Sequence, residues 1–234
     1  MNWTLRSRSL SITKIPKIRL TVRAEIALSA PAFSPIATLS VFYTFGLGEG
    51  VRVKCHARLG DGTPWTDGLP PLPRFGFKFT MPEGFEDVRY FGYGPYESYE
   101  DKRLSSIKSL FKTTATDNFE HYVRPQENSA HYGCSWADVT HKCGSGLYFS
   151  ASSFSLSASH YDPLYLTGFN HDYELIPQKD TTVIIDYRNS GMGSASCGPT
   201  IQDKYSIIEK EFDFEFYFAP HFSGNINPFN EYVK

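Results

Sequence analysis

The sequence predicts an all-β fold, an antiparallel sandwich carrying few short helices. Three observations carry this expectation: apolar and polar residues alternate with period two in successive segments, glycines and prolines punctuate the gaps, and many aromatic residues fall on the alternating apolar positions. From Ile18 to Leu28 the side chains of Ile18, Leu20, Val22, Ala24, Ile26 and Leu28 share one face, and Arg19, Thr21, Arg23 and Glu25 share the other. That is the pattern of a half-buried strand. Beyond a Pro31 to Pro35 turn that a helix could not cross, Ala37, Leu39, Val41, Tyr43 and Phe45 repeat it. Gly46 to Gly50 then form a hairpin into Val51, Val53, Cys55 and Ala57, which alternate with Arg52, Lys54 and His56. Strands joined so briefly read as an antiparallel meander.

Further strands are predicted at Phe75 to Phe79, at Val88 to Phe91 beyond the Pro82-Glu83-Gly84 turn, and at Leu147 to Phe149, Ser153 to Ala158 and Thr182 to Tyr187. The last strand is the most regular: Phe212, Phe214, Phe216 and Phe218 alternate with Glu211, Asp213, Glu215 and Tyr217, so its charged face requires solvent or another chain. One short helix is expected within Asp162 to Phe169, with Asp162 as cap and Pro163 in the first turn. No internal repeat and no low-complexity linker interrupts the chain, so a single sandwich domain is expected over residues 1–234, with 1–17 poorly ordered.

The formal charge of −2 over 234 residues leaves no broad field to attract nucleic acid or an anionic membrane surface. Apolar runs such as Val183-Ile184-Ile185 fall far short of the roughly 20 residues that span a bilayer. No apolar stretch follows Met1 to Arg8 to make a signal peptide, and Cys55, Cys134, Cys143 and Cys197 are irregularly spaced. Free thiols in a reducing, cytoplasmic compartment are the expectation, with no zinc site.

Three stretches concentrate glycine, proline, aromatic and polar residues beyond the needs of a strand. The first runs from Phe91 to Asp101 and contains Gly94, Pro95 and Glu97 in a tight loop whose acids can bond loop amides or pair with Lys102 or Arg103. The second, Tyr122 to Cys134, places Glu127 and His131 as an imaginable acid and base, although Arg124 and Asn128 beside them fit a hydrogen-bonded corner without catalysis. The third, Asp186 to Pro199, is a glycine-bearing loop after an apolar strand. It lacks the Lys-Ser or Lys-Thr and the following helix of a phosphate cradle, and reads as a loop at the rim of a site. Neither Gly-x-Ser-x-Gly nor His-Glu-x-x-His occurs, and no pair of carboxylates is marked as nucleophile and acid.

Taken in order, Tyr90-Phe91-Gly92-Tyr93-Gly94-Pro95-Tyr96-Glu97-Ser98-Tyr99 with Asp101, then Arg124-Pro125-Gln126-Glu127-Asn128, then His171-Asp172-Tyr173-Glu174-Leu175, then the Gly191 to Pro199 loop, resemble the C-terminal domain of family-2 β-galactosidases, also found as the small subunit of two-chain forms. The resemblance runs from about Leu20 to Phe218. It implies a large antiparallel supersandwich like that of galactose mutarotase, set against a TIM barrel that holds both catalytic glutamates and the metal sites. No catalytic residue and no cofactor is then expected in this chain. The family's loop matching Gly191 to Pro199 lines the aglycone side of the pocket, so Met192, Gly193, Ser196 and Cys197 become candidate rim residues. Gly94, Pro95, Glu97, Arg124, Glu127 and His131 become structural-motif residues.

Two departures accompany the resemblance. Cys197 stands where some relatives carry a tryptophan, which removes an aromatic platform worth about 1 kcal/mol. The family's Arg-Ala-Pro and Asp-Asn-Asp segments are absent before Ile18, so the domain is expected to lack its first strands and to offer an open edge to a partner. The functional expectation is a non-catalytic part of a β-galactosidase, joined to the rest of that chain or to its large subunit, oligomeric, and completing a site for β-galactosides. Two alternatives stand beside it. A free-standing sugar-binding module is suggested by 15 Tyr and 19 Phe, and an aldose epimerase using His131 and Glu127 by likeness of fold alone.

Overall fold

The structure, a computed structural model, describes residues 4–15, 19–29, 34–46, 50–60, 70–192 and 201–222. Among these residues the strands in chain order are β1 (Thr4–Ile15), β2 (Arg19–Ser29), β3 (Ala37–Gly46), β4 (Val51–Leu59), β5 (Arg74–Met81), β6 (Phe85–Gly94), β7 (Ile107–Thr114), β8 (Ala130–His141), β9 (Ser145–Ser159), β10 (Thr181–Asn189) and β11 (Glu211–Phe222). The pairings β1–β2, β2–β3, β3–β4, β4–β11, β5–β10, β6–β7, β6–β8, β8–β9 and β9–β10 are all antiparallel, and among the described residues the helices are α1 (Pro163–Leu166) and two 3-10 turns, Asp172–Glu174 and Asp203–Tyr205. The all-β antiparallel class is as the sequence predicts. Contacts divide the chain into two compact units, Met1–Pro71 with Ile208–Ala219, and Leu72–Ile207 with Pro220–Lys234. One of these boundaries falls inside β11, where no change of composition marks it.

In the first unit β1 to β4 form a meander, each strand paired with the next, and β11 closes on β4. Thr4–Ile15 is a strand paired along β2. The register of β11 on β4 explains its alternation. Glu211, Asp213 and Glu215 lie opposite Arg58, His56 and Lys54, while Phe212, Phe214 and Phe216 lie opposite Ala57, Cys55 and Val53. The apolar row is buried and the charged row faces solvent. Arg52 reaches Glu215 at 2.7 Å, and His56 stands between Glu211 at 3.1 Å and Asp213 at 3.2 Å. Exposed pairs of this kind contribute only about 0.2–1 kcal/mol each, and here they select the register: a one-residue slip would turn the phenylalanines outward.

The second unit is built on a sheet of order β7-β6-β8-β9-β10-β5. Its buried side chains include Val88, Tyr90, Val139, Phe149, Leu156 and Ile185, and Phe79 meets Phe149 edge-on at 5.2 Å. Asp162 caps α1 by accepting from the Leu164 N–H at 2.9 Å, as expected, although the helix makes a single turn. Cys55, Cys134 and Cys143 are free thiols; burial pushes the first two up to about 12, whereas Cys143, exposed in the turn between β8 and β9, is lowered to about 7 by hydrogen bonds with Ser145 and His141. Cys197 lies outside the described residues. Among the described residues no helix is long and apolar enough to cross a membrane.

Candidate functional site

Within the second unit, acids from all three motif stretches meet basic groups at the ends of β5, β6 and β10. The first stretch leaves β6 at Gly94 through a cis peptide bond to Pro95 and carries Glu97 into the interior. Buried carboxylates persist only where hydrogen bonds replace water. Glu97 accepts from Lys102 Nζ, from the Tyr122 hydroxyl, and from the Ser129 N–H at 3.1 Å; Lys102 and Tyr122 also bond each other at 2.7 Å. One carboxylate therefore ties the β6–β7 connection to the start and the middle of the second stretch.

Arg74, at the start of β5, bridges the second and third stretches. Its guanidinium donates to Glu127 at 2.6 Å and to both oxygens of Asp186, at 2.5 and 3.4 Å. The two-pronged contact with Asp186 matches the planar fork of arginine to a carboxylate. Nothing in the sequence flagged Arg74. Its only signal is position: it shares a strand with Gly76 and Lys78 in a register that faces Ile184 and Asp186.

One cation serves two acids here, and the balance shows in their titration. Burial pushes Glu127 up to about 7 against the pull of Arg74, with Asp186 and Glu97 adding repulsion. Burial likewise raises Asp186 to about 6 in spite of its bonds to Arg74. Asp186 is fully enclosed, while the Glu127 side chain keeps 21% of its exposure, so water screens part of the effect at Glu127. Both pKa values are raised in the folded state. The stability they contribute is therefore complete below the unfolded carboxylate range, near pH 4, and is lost as pH rises through about 6 and 7. Urea unfolding of the wild type should show a falling midpoint between pH 5 and pH 7.5, and Glu127→Gln should flatten it; an unchanged slope would place the titrating group elsewhere.

The base of the third stretch is held by several separate contacts. Arg188 donates to Glu100 at 2.8 Å. Ser190 Oγ donates to Leu72 O at 2.5 Å and accepts from the Ile207 N–H at 3.1 Å. Gly191 N–H donates to Tyr205 O at 2.8 Å, and Met192 N–H to Asp101 Oδ1 at 3.0 Å. A Cβ on Gly191 would stand 2.6 Å from the Asp101 carboxyl carbon, so only glycine permits this approach. Met192 is half-buried; Gly193, Ser196 and Cys197, the other candidate rim residues, lie outside the described residues.

The remaining candidates separate. Gly94 and Pro95 form the turn out of β6, and Arg124 is exposed outside the network. His131 is fully buried, stacked on Tyr90 at 4.0 Å and bonded through Nε2 to Asn118 at 2.6 Å; burial lowers it to about 4, so it is neutral near pH 7. Glu127 and His131 thus have different partners, and the side-chain bonds of each are to other residues.

A family model described as the β-galactosidase small chain matches residues 2–218. The chain belongs to the β-galactosidase small-chain family. The match begins well before Leu20 and takes in β1. Among full-length proteins, the small-chain segment is 39% identical over 147 residues to a β-galactosidase of Staphylococcus xylosus, covering 63% of this chain and 15% of that protein. A β-galactosidase of Actinobacillus pleuropneumoniae is 43% identical over 149 residues, covering 63% of this chain and 14% of that protein. One from Vibrio vulnificus is 26% identical over 200 residues, 81% of this chain and 19% of that protein. The small chain thus spans less than a fifth of these relatives' length.

Proposed function

We propose that this chain is a non-catalytic component of a β-galactosidase, a wall that completes the rim of a site whose catalytic glutamates and metals belong to another part of the enzyme. The observation that carries this reading is the family match over residues 2–218 in a chain that covers only 15% of a full-length relative. The network described above supports it: Asp101, Glu100 and Ser190 hold the base of the stretch that contains Met192, Gly193, Ser196 and Cys197, and a rim needs a rigid mount. The same reading makes the body a mutarotase-like supersandwich. It assigns the chain no cofactor and the cytoplasm as its compartment, and it takes the remainder of the enzyme or a large subunit as its partner in an oligomer acting on β-galactosides.

The purified chain should give no turnover of a chromogenic β-galactoside. Mixing it with the catalytic portion of its own enzyme should raise turnover at least about tenfold over that portion alone. Turnover by the chain alone that survives removal of host enzyme, or no response to mixing, would sink the proposal.

A further inference from the structure

A groove of about 320 Å³ lies in the second unit on the face shared by β5 and β10. The floor comes from the pairings Lys78 with Ile184 and Gly76 with Asp186, which place all four on one sheet face. Gly76 keeps that floor flat, because a Cβ there would stand 2.2 Å from Asp186 Oδ1. Arg74 and Phe75 of β5, with Asp162, Pro163 and Leu164 at the start of α1, complete the lining. None of these residues contributes to the mount of the third stretch except through the Arg74–Asp186 pair.

The lining is chemically mixed in a specific way. Two cations, Arg74 and Lys78, are matched by two carboxylates, Asp162 and Asp186, and each cation bonds a lining acid. A charged ligand of either sign therefore gains little net attraction and disturbs existing pairs. A wholly apolar ligand would bury those ions without replacing their water. Hydrogen-bonding capacity nonetheless remains. Arg74 uses three of its five N–H groups in these bonds and Lys78 one of three, while Asp162, the partly exposed carboxylate of the lining, keeps lone pairs. Phe75, Pro163, Leu164 and Ile184 supply an apolar surface alongside. A neutral ring carrying hydroxyls at its edge and C–H groups on its face answers both halves of this lining. The volume lies at the small end of ligand pockets, suited to a single ring and not to an extended chain of sugars.

We infer that the β5–β10 groove is a binding site for a single neutral hexopyranose unit, separate from the rim stretch after β10. The site does not depend on the proposed function, which turnover measurements decide on their own.

The test is titration of the intact, methyl-labelled chain with methyl β-D-galactopyranoside, followed by NMR. Saturable shifts are expected at the Ile184 and Leu164 methyl groups, with a Kd of about 1–10 mM. Lys78→Ala and Leu164→Ala should each weaken binding at least about threefold. Both side chains are substantially exposed, so the unfolding midpoints should stay put and separate lost binding from lost folding. The inference is overturned if Ile184 and Leu164 stay unshifted to ~50 mM sugar, if both variants bind like the wild type, or if glycerol or sodium acetate produces the same shifts at equal concentration.

Discussion

Replacing Arg74 by alanine is expected to destabilise the second unit by about 3–5 kcal/mol, the usual cost of leaving buried carboxylates without their cation. Asp186 is fully enclosed and receives both prongs of the guanidinium, while Glu127 receives the third donor, so one truncation strands two acids. Both would then take up protons, and the loss should be larger at pH 8 than at pH 5 because the uncompensated charge exists only where they ionise. Urea unfolding at the two pH values measures it. The triple change Arg74→Met, Glu127→Gln, Asp186→Asn removes every charge together and should recover much of the stability. A loss below about 1 kcal/mol for Arg74→Ala would show that water reaches these carboxylates freely.

Glu97→Ala should cost about 2–3 kcal/mol, in line with a buried, charge-assisted acceptor of several donors. The Ser129 N–H is buried and would be left without its acceptor, and Lys102 and Tyr122 would retain only each other. The Tyr122 phenol supplies a second reading. It lies above its ordinary value first through burial and then through the bond to Glu97, so its titration should move back toward 10 in the variant. Ultraviolet titration of the phenol follows that shift. An unmoved Tyr122 together with an unchanged unfolding midpoint would remove Glu97 from the network.

The parts of the fold that could be read from sequence are those with one wet face. β2, β3, β4 and β11 each alternate because one side meets solvent, and the chemistry of that side shows in Arg52, Lys54, Glu211 and Asp213. β8 escaped notice for the opposite reason. Nearly all of Ala130–His141 is buried, the register shifts at Cys134, and Gly133 adopts φ 64°, so no period survives. β7, an edge strand with Ile107 and Leu110 exposed, breaks the rule from the other direction. At the site, Glu97 and Glu127 stood out because glycine and proline surround them. Arg74 did not: a cation at the start of a strand looks like surface, and its burial depends on acids that lie 53 and 112 residues away. Lys102 is legible as a partner because it lies five residues from Glu97, whereas Tyr122, 25 residues away, carries no sequence signal of its bond to Glu97.

The first unit is assembled from two stretches of chain separated by Leu72–Ile207 of the second, and its closing strand is the last among the described residues. A nascent polypeptide emerging at about 5–20 residues per second must wait on the order of ten seconds between finishing β4 and delivering β11. Throughout that interval the backbone amides of Val53, Cys55 and Ala57 have no neighbour on one side. Ribosome stalling or premature termination ahead of Ile208 would leave this seam open for good, and such products should be recovered chiefly as insoluble aggregates.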